Sequence, residues 1–289
     1  MLILFDMSQI VISASIDYHS QTKDQIDLQL LRHITLNNIL SYKKKFNAKM
    51  SEMIICCDGR DYWRKKIFPL YKQNRKKIKE KSKFDWTLFF ENFNIIKDEV
   101  KNELPFNVVE VHGCEADDVI AVISHQQCPH QNKIVIVSSD KDLIQIQENL
   151  CNKVEQWSPF HKKFITGKSN DYSLFEHVIR GDSGDGIPNI LSDDDVFMND
   201  SKRSKPIRAS NLLEWKQRGG LTNPEKFCNS ELMLSRFKRN ENLIDLRQIP
   251  ESYAIKISDE FNNFKSKPKD VFSYLTKHRL KKILESGIL

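Results

Sequence analysis

Short apolar runs, each followed closely by an acidic residue, constrain the fold of this chain more than any other feature. Runs of this length that are rich in Ile, Val and Leu are typical of strands buried on both faces of a parallel sheet. Three such runs and their acids are Leu2–Phe5 with Asp6, Met53–Cys57 with Asp58, and Ile134–Val137 with Asp140. Helical patterns separate the runs, and this alternation predicts an α/β fold with a mostly parallel central sheet flanked by helices.

The acids after these runs are expected to meet, because ligands in open α/β sheets bind beyond the carboxyl ends of the strands. A further acidic cluster begins the helical run Val119–Ile123. Two carboxylates 4 Å apart repel by roughly 4 kcal/mol at intermediate dielectric, so a cluster of this size stays ionised only around cations. Carboxylate oxygens suit hard cations such as Mg²⁺. The candidate metal ligands in this part of the chain are Asp6, Asp58, Glu115, Asp117, Asp118, Asp140 and Asp142.

Each acidic motif also has an interpretation that needs no metal. Glu115, Asp117 and Asp118 can favour a helix N-terminus through its dipole, and Asp140 and Asp142 can cap the helix that follows them. For any one motif, capping explains the acids about as well as metal binding does. Taken together, with two more acids isolated at strand ends, the motifs favour the metal site.

A one-sided basic segment begins two residues after Asp58. Between Arg60 and Lys83 the chain carries eleven Lys and Arg residues against Asp61 and Glu80. Such a run is usually the solvated face of a helix, but i,i+4 ion pairs cannot explain this imbalance. Cations neutralise phosphates and aromatic faces stack on exposed bases, so the interleaving of both favours nucleic-acid binding. The interleaved aromatic residues are Tyr62, Trp63, Phe68 and Tyr71.

The remaining patterns divide the chain into a strand-rich part and a helical part. Further strands are predicted at Phe106–Val111, Lys153–Trp157 and Lys162–Thr166, the last two as a hairpin. Helices are predicted at Asp24–Asn47, from Glu115, from Leu143, and at Asn211–Lys216, Glu231–Leu246 and Asp270–Glu285. The segment Arg60–Leu104 reads as basic and then amphipathic. Beyond Gly186 strong strand patterns end, and a helical subdomain is predicted.

Composition bounds the class of protein. At 289 residues the chain fits one large domain or two modest ones, and no stretch approaches the ~20 apolar residues that span a membrane. The cysteines form no Cys-x-x-Cys pair, so we expect reduced, mostly buried thiols in a cytosolic protein. The stretch with His112, His125, Cys128 and His130 lacks the paired spacing of a zinc site and is interpreted as ordinary core and loop residues. The cysteines are Cys56, Cys57, Cys114, Cys128, Cys151 and Cys228.

The ordered set of motifs resembles the flap endonuclease / 5′→3′ exonuclease family over about the first 190 residues. The motifs are Asp6, Asp58, Glu115-Ala116-Asp117-Asp118, Ser139-Asp140-Lys141-Asp142 and Gly181-Asp182-Ser183-Gly184-Asp185-Gly186-Ile187-Pro188. Within that family, the segments 61–65 and 71–75 resemble the branch formed by the RNase H of T-even bacteriophages. The order of the motifs is far more specific than any one of them, and it favours a PIN-like nuclease core.

This resemblance implies a two-metal site that hydrolyses phosphodiester bonds, with Mg²⁺ as the expected ion and Mn²⁺ as an alternative. By resemblance, the first ion is held by Asp6, Asp58, Asp117 and Asp140. The second ion is surrounded by Glu115, Asp142, Asp182 and Asp185, some of them through water. Asp118 is expected close by. Asp182 and Asp185 also fit turn residues, because glycines surround them.

The resemblance further implies that residues 59–104 form a basic helical arch through which a single-stranded 5′ end passes. Lys72 is expected to contact the scissile phosphate, with help from Arg64, and Tyr71 to stack on a base near the cut. Spacing alone does not single out Lys72 within a Lys-rich run. The other basic residues expected to bind nucleic acid in this region are Arg60, Lys65, Lys66, Arg75, Lys76 and Lys77.

The Gly181–Ile190 motif is expected to begin a helix-turn-helix element that grips duplex phosphates. A second Gly-x-Gly turn followed by Lys is missing, which puts a potassium-binding duplex clamp in doubt. Duplex contact is then assigned to a basic loop with Lys202, Arg203, Lys205 and Arg208. The three aspartates 193–195 are interpreted as a solvated loop. The predicted domains are a metal-dependent nuclease domain, 1–185, and a helical DNA-binding subdomain, 186–289.

The sequence therefore predicts a Mg²⁺-dependent 5′→3′ exonuclease with flap endonuclease activity. Its expected substrates are RNA–DNA hybrids, duplex DNA and 5′-flap DNA, and its expected task is the removal of RNA primers in phage replication. We expect a monomer in the host cytoplasm, without membrane contact, and a single-stranded-DNA-binding protein as a plausible partner. A PIN-like ribonuclease and a catalytically inactive junction-binding scaffold are the alternatives.

Overall fold

A computed structural model describes residues 1–149, 151–166, 173–264 and 270–285. Within these ranges the chain forms two compact units. The first unit comprises Met1–Arg60, Lys83–Thr166 and Glu251–Leu289, and the second comprises Asp61–Ser82 and Gly167–Pro250. The units interleave along the chain, whereas the predicted domains meet once, between residues 185 and 186. That domain boundary stays a prediction.

Among the described residues, six strands form the sheet of the first unit. They are β1 (Leu2–Asp6), β2 (Met53–Cys57), β3 (Asn107–Glu110), β4 (Ile134–Val137), β5 (Val154–Ser158) and β6 (Lys163–Ile165). Their order in the sheet is β3-β2-β1-β4-β5-β6. Neighbouring strands are parallel except for β5 and β6, which pair antiparallel. The predicted mostly parallel α/β sheet and its hairpin are confirmed.

Helices connect the strands of the first unit, and further helices lie in the second unit. They are α1 (Met7–Thr22), α2 (Leu28–Lys45), α3 (Arg64–Ile67), α4 (Asn74–Glu80), α5 (Trp86–Glu103), α6 (Ala116–Gln127), α7 (Ile144–Asn149), α8 (Leu174–Arg180), α9 (Ala209–Arg218), α10 (Glu231–Ile244), α11 (Glu251–Asn262), α12 (Val271–Lys277) and α13 (Lys281–Glu285). The single helix predicted at Asp270–Glu285 is wrong, because Arg279 adopts a left-handed φ of 54° and divides it into α12 and α13. Across the part of the chain that the structure describes, no helix combines the length and apolarity needed to cross a membrane.

The core of the first unit covers the central strands on both faces. Every residue of β1, β2 and β4 is buried. The amphipathic helix α5 begins after its N-cap Asp85, whose side chain accepts a hydrogen bond from the Leu88 amide. It buries Phe89, Phe93 and Ile96 in the same core as the strands. Each such side chain contributes about 1.5–3 kcal/mol, so this half of the segment Arg60–Leu104 is part of the core.

The second unit has a core of its own, to which the basic segment contributes. Phe68 and Tyr71 pack with Val178, Ile179 and Phe237. The segment forms the two short helices α3 and α4 rather than one long helix. Pro69 follows α3, and Lys72 has a left-handed φ of 59°; both features interrupt helical geometry.

Cys128 and Cys151 form a disulfide, with their Cα atoms 5.8 Å apart. The prediction that all six cysteines are reduced thiols is therefore wrong for this pair. Cys128 follows α6 and Cys151 precedes β5, so the return of the chain to the sheet brings together two residues that are 23 positions apart. Cys56, Cys57 and Cys114 are buried and lie outside this disulfide, as expected.

Candidate metal centre

Strand register brings the predicted acids of the first unit to one edge of the sheet. Asp6, the last residue of β1, lies in register with Cys56 of β2. Phe5 lies in register with Val137, the last residue of β4. Asp58 follows the end of β2 by one residue and Asp140 follows the end of β4 by three, so the carboxyl ends of three adjacent strands carry an acid.

Asp6 is the most enclosed of these carboxylates. Its side chain accepts hydrogen bonds from the Gln9 amide at 3.1 Å and from the Ser138 hydroxyl at 2.8 Å. The same hydroxyl oxygen accepts from the amide of Asp140 at 3.1 Å. Burial, and then the negative charges of Asp58 and Asp140, raise the pKa of Asp6 to about 7, against the lowering effect of its two hydrogen bonds. The three acids thus share one electrostatic environment.

A second link joins the loop after β2 to the start of α6. The Asp58 carboxylate accepts from the Ala116 amide at 2.9 Å. The Gly59 amide donates to the Cys114 carbonyl at 2.9 Å, and a Cβ atom at Gly59 would lie 2.1 Å from a backbone oxygen of Val111. Glycine is therefore required for this close approach, which the sequence Asp58-Gly59 supplies.

Some of the predicted metal ligands also cap the N-termini of helices. Asp118 accepts from the Glu115 amide at 2.9 Å in a capping box, and Asp140 accepts from the Asp142 amide at 2.9 Å. Glu115 and Asp118 are 2% and 0% exposed. Asp117 and Asp142 are half-buried. Asp118 and Asp140 therefore have capping roles next to the strand ends, and the joint role of these acids as metal ligands stays a prediction.

Three residues that the sequence did not single out hold this edge in place. Gln9 accepts a hydrogen bond from the Ser139 amide at 3.1 Å, and the Ser138 hydroxyl links the Asp6 carboxylate to the Asp140 backbone amide. The buried Gln156 side chain on β5 donates to the carbonyls of Ser138 at 3.0 Å and Asp140 at 2.5 Å. Their roles depend on which strands are neighbours in the sheet. The sequence at these positions does not indicate that order.

The two predicted metal ligands of the second unit lie in a tight turn. Asp182 accepts from the amides of Gly184 at 2.7 Å and Asp185 at 3.1 Å. Burial alone would raise the pKa of Asp182, but His177 at 3.4 Å and these amides outweigh it and lower the pKa. The segment Gly181–Ile190 forms this turn and a short bridge, and the next helix begins at 209. The predicted helix-turn-helix is therefore wrong.

Asp185 is surrounded by positive charge within the second unit. Arg75 forms an ion pair with one carboxylate oxygen. The other oxygen accepts from the Tyr71 hydroxyl at 2.8 Å and lies 3.5 Å from the Lys72 ammonium. The Lys72 amide also donates to the Asp185 carbonyl at 2.7 Å. The turn at 182–185 and the basic segment are thus one hydrogen-bonded assembly.

Two of the three predicted catalytic residues lie in the interior of the second unit. Arg64 is 3% exposed, its Nε donates to the Leu243 carbonyl at 2.8 Å, and its guanidinium lies 4.5 Å from the Trp63 ring centre. Tyr71 is 2% exposed, so stacking on a base would require its ring to leave the core. Lys72 is half-buried. The roles of all three in catalysis stay predictions.

The basic residues predicted to bind nucleic acid differ in their surroundings. Those that are exposed are Arg60, Lys65, Lys66, Arg75, Lys76, Lys202, Arg203, Lys205 and Arg208. Lys77 is half-buried and donates to the Met198 carbonyl at 2.8 Å. Lys202 forms ion pairs with Asp193 at 3.4 Å and Asp195 at 2.6 Å. The aspartates 193–195 are ion-paired, two of them with arginines of α10. The side chains of Asp193 and Asp194 are still 52% and 54% exposed, which agrees with the interpretation as a solvated loop.

Together, the fold and the acids of the first unit define an α/β protein with a carboxylate-lined edge suited to divalent cations. Residues 1–171 match the family described as 5′-3′ exonuclease, N-terminal resolvase-like domain, and residues 168–288 match the family described as T4 RNase H, C terminal. The chain is 31% identical to the ribonuclease H of Enterobacteria phage T4, over 98% of this chain and 93% of that protein. The chain therefore belongs to the 5′-3′ exonuclease family.

Other relatives agree with this assignment. The chain is 28% identical to the flap endonuclease Xni of Shewanella sp. strain MR-4 over 48% of this chain, and it spans about half of that protein's length, 53%. Its fold is similar to that of the bacteriophage T5 flap endonuclease in a complex with DNA and metal ions, with a TM-score of 0.64 and 19% identity over 97% of this chain and 98% of that one. A zinc-bound T5 5′-exonuclease gives a TM-score of 0.61 at 18% identity, over 98% of both chains.

Proposed function

We propose that this chain is a divalent-metal-dependent 5′→3′ exonuclease and flap endonuclease that hydrolyses RNA–DNA and DNA–DNA duplexes from the 5′ end. The observation that carries the proposal is the linkage of acids at the sheet edge. The Ser138 hydroxyl joins the Asp6 carboxylate to the backbone amide of Asp140 through hydrogen bonds of 2.8 and 3.1 Å, and burial together with the charges of Asp58 and Asp140 raises the pKa of Asp6. Membership of the 5′-3′ exonuclease family supports the same activity.

The donor set fits hard divalent ions. A buried carboxyl whose pKa is raised to about 7 by desolvation and like charge is fully ionised at neutral pH only beside a cation. When bound, such ions would polarise the phosphodiester and lower the pKa of a water molecule. We assign Mg²⁺, with Mn²⁺ as the alternative. The proposed ligands are Asp6, Asp58, Asp117 and Asp140 for a first ion, Glu115, Asp142, Asp182 and Asp185 for a second, with Asp118 nearby.

The protein's own contribution is to hold these carboxylates in place before substrate arrives. Gln9 and Ser138 fix the orientation of Asp6, and Gln156 fixes the backbone on either side of Ser139. Preset ligand positions avoid reorganisation when an ion and a phosphate bind. Because Gln156 acts through the backbone of the loop that carries Asp140, the role we assign to it is positioning.

The phage relative supports a proposal for the biological setting. Removal of RNA primers during phage DNA replication is the task that fits a phage-type nuclease with activity on RNA–DNA hybrids. We also propose that the protein acts as a monomer in the cytoplasm of the infected host, with a single-stranded-DNA-binding protein as its partner.

A direct test is cleavage of a 5′-labelled RNA–DNA duplex and a 5′-flap DNA, each with EDTA, Mg²⁺ or Mn²⁺, with products separated by length. Short metal-dependent products released from the 5′ end are expected from both substrates. Tight binding to the flap without cleavage in either metal would contradict the proposal and favour the junction-binding scaffold.

Replacing Lys72 by Met should lower the single-turnover cleavage rate by about 10²-fold while changing substrate affinity little. The variant removes a charge that lies 3.5 Å from Asp185 and keeps the length of the side chain. Lys76→Met removes one charge from an exposed position of the same segment and is the matched control. A loss of affinity alone, equal in both variants, would show that Lys72 is only background charge.

Replacing Arg203 and Lys205 together by Ala should reduce the slope of log K against log salt concentration for duplex binding by about 1 to 2 units. Both side chains are exposed. Lys202→Ala should change the slope less, because Asp193 and Asp195 already neutralise that ammonium. The measurement is fluorescence anisotropy at 50 to 300 mM salt, and an unaltered slope in the double variant would remove this loop from the interface.

A further inference from the structure

The tip of the β5–β6 hairpin presents an aromatic ring to solvent. Phe160 is 81% exposed, more than any other large hydrophobic side chain among the described residues. Exposed apolar residues are common singly, so exposure by itself decides nothing. Phe164 on β6, by comparison, is 41% exposed and packs its ring against Trp157 at 5.2 Å.

The hairpin tip is fastened to the loop that carries the acids. The Phe160 amide donates to the Ser139 hydroxyl oxygen at 3.0 Å, and the Ser158 hydroxyl donates to the same oxygen at 3.0 Å. Ser139 directly precedes Asp140. Gln156, at the base of the hairpin, donates to the Asp140 carbonyl at 2.5 Å. These contacts fasten the backbone of Phe160, in the turn between β5 and β6, to the residue that directly precedes a proposed metal ligand.

Basic residues adjoin Phe160 in sequence, and one more lies beside Asp140. His161, Lys162 and Lys163 are exposed, as is Lys141 beside Asp140. Lys162 closes the turn with a left-handed φ of 52°. The Phe160 ring contacts His161 edge-on, with ring centres 4.9 Å apart and an interplanar angle of 82°. An aromatic face beside cations is what binds an unpaired nucleotide, because the ring stacks on the base and the cations attract its phosphate.

We propose that Phe160 stacks on an unpaired nucleobase of the substrate close to the cleaved phosphodiester, with Lys162 attracting the adjoining phosphate. The inference rests on the proposed nuclease function and specifies where a single-stranded nucleotide binds. Stacking uses the π face that every base has, so this contact is independent of sequence. It adds a nucleic-acid contact on the first unit, outside the basic segment and the basic loop.

The test uses 2-aminopurine placed at successive positions of a 5′ flap, bound to the full-length protein in EDTA so that no cleavage occurs. Stacking on Phe160 should quench the fluorescence at one or two positions near the junction. Phe160→Ala should abolish this quenching and weaken flap binding by about 5- to 100-fold, as expected for one lost base–aromatic stack. Phe160→Tyr should restore both, and Phe160→Leu, which keeps apolar area without a π face, should restore neither.

Phe272→Ala is the matched control, since Phe272 is 63% exposed on α12 in the same unit. Thermal melts of each variant verify folding, and cleavage with Mg²⁺ is measured in parallel. Quenching and affinity unchanged in Phe160→Ala, with normal cleavage by the wild type, would overturn the stacking site and leave the nuclease function intact. That result would favour a protein, rather than a nucleobase, as the partner of Phe160. Quenching at the predicted positions without cleavage by the wild type would support the site and overturn the nuclease function.

Discussion

Replacing Asp140 by Asn should reduce cleavage of both the RNA–DNA duplex and the 5′ flap by at least about 10³-fold, the loss expected when an electrostatic element of the site is removed. The fold should survive, because an Asn side-chain oxygen can still accept the hydrogen bond that the Asp142 amide donates at 2.9 Å. Nucleic-acid affinity should be unchanged or higher, since one negative charge is lost beside an anionic substrate. Single-turnover cleavage with Mg²⁺, together with anisotropy in EDTA, measures the two effects separately.

Asp27→Asn is the matched control for this variant. Asp27 is an exposed N-cap on α2 of the same unit, and its side chain accepts from the Leu30 amide at 2.7 Å. The control changes the same chemical group in the same capping role, away from the strand ends. Cleavage within about twofold of the wild type is expected for Asp27→Asn. Normal turnover in Asp140→Asn would contradict the metal-site assignment.

The acids at the sheet edge were predictable because each strand and the acid after it are determined by neighbouring residues in the sequence. Runs such as Leu2–Phe5 and Ile134–Val137 are too short for a typical helix and rich in strand-forming residues, which favours a buried strand. An acid directly after a parallel strand lies at the carboxyl edge of the sheet. The antiparallel hairpin was equally visible, because two alternating runs flank Ser158-Pro159. In each of these cases a few neighbouring residues determine both the element and the direction of its side chains.

Contacts that depend on distant partners were not predictable. Arg64 belongs to a basic run, yet its Nε binds the Leu243 carbonyl, a partner 179 residues away. Gln156 supports the Asp140 loop only because β5 lies next to β4. The sequence shows charge and hydrophobicity but not which cation is covered by a later helix, so Arg64 was read as a substrate contact without its burial being foreseen.

The Asp182–Asp185 turn shows an intermediate case. Its glycines predicted a turn, and Gly181 and Gly186 do adopt left-handed φ angles of 66° and 72°. The helix expected to follow does not form before residue 209. Pro188 disfavours helical geometry in the residue before it. Family resemblance predicted the helix-turn-helix, whereas the residues themselves indicated only the turn.

The metal-free protein should lose stability as the pH rises from about 4 to 7, and a divalent cation should restore it. The pKa of Asp6 is raised from 3.8 to about 7 by burial and by Asp58. A carboxyl with a raised pKa in the folded state binds more protons there than in the unfolded state between these two values. The free energy of unfolding therefore falls with rising pH across this window, and the contribution is fully present only below pH ~4.

Asp6→Asn should remove most of this pH dependence and raise the free energy of unfolding of the metal-free protein at pH 7.5 by up to about 4 kcal/mol, from roughly 1.4 kcal/mol per pKa unit. It should also weaken the stabilisation by Mg²⁺, because a cation stabilises the folded state through the ionised cluster. Asn keeps an oxygen for the Gln9 amide, so the start of α1 is preserved. Urea unfolding from pH 4.5 to 8 in EDTA and in 10 mM Mg²⁺ tests both effects, with Asp27→Asn expected to follow the wild type. A wild-type stability that is flat across this range in EDTA, or a Mg²⁺ effect undiminished in Asp6→Asn, would show that Asp6 is not part of a cation-binding cluster.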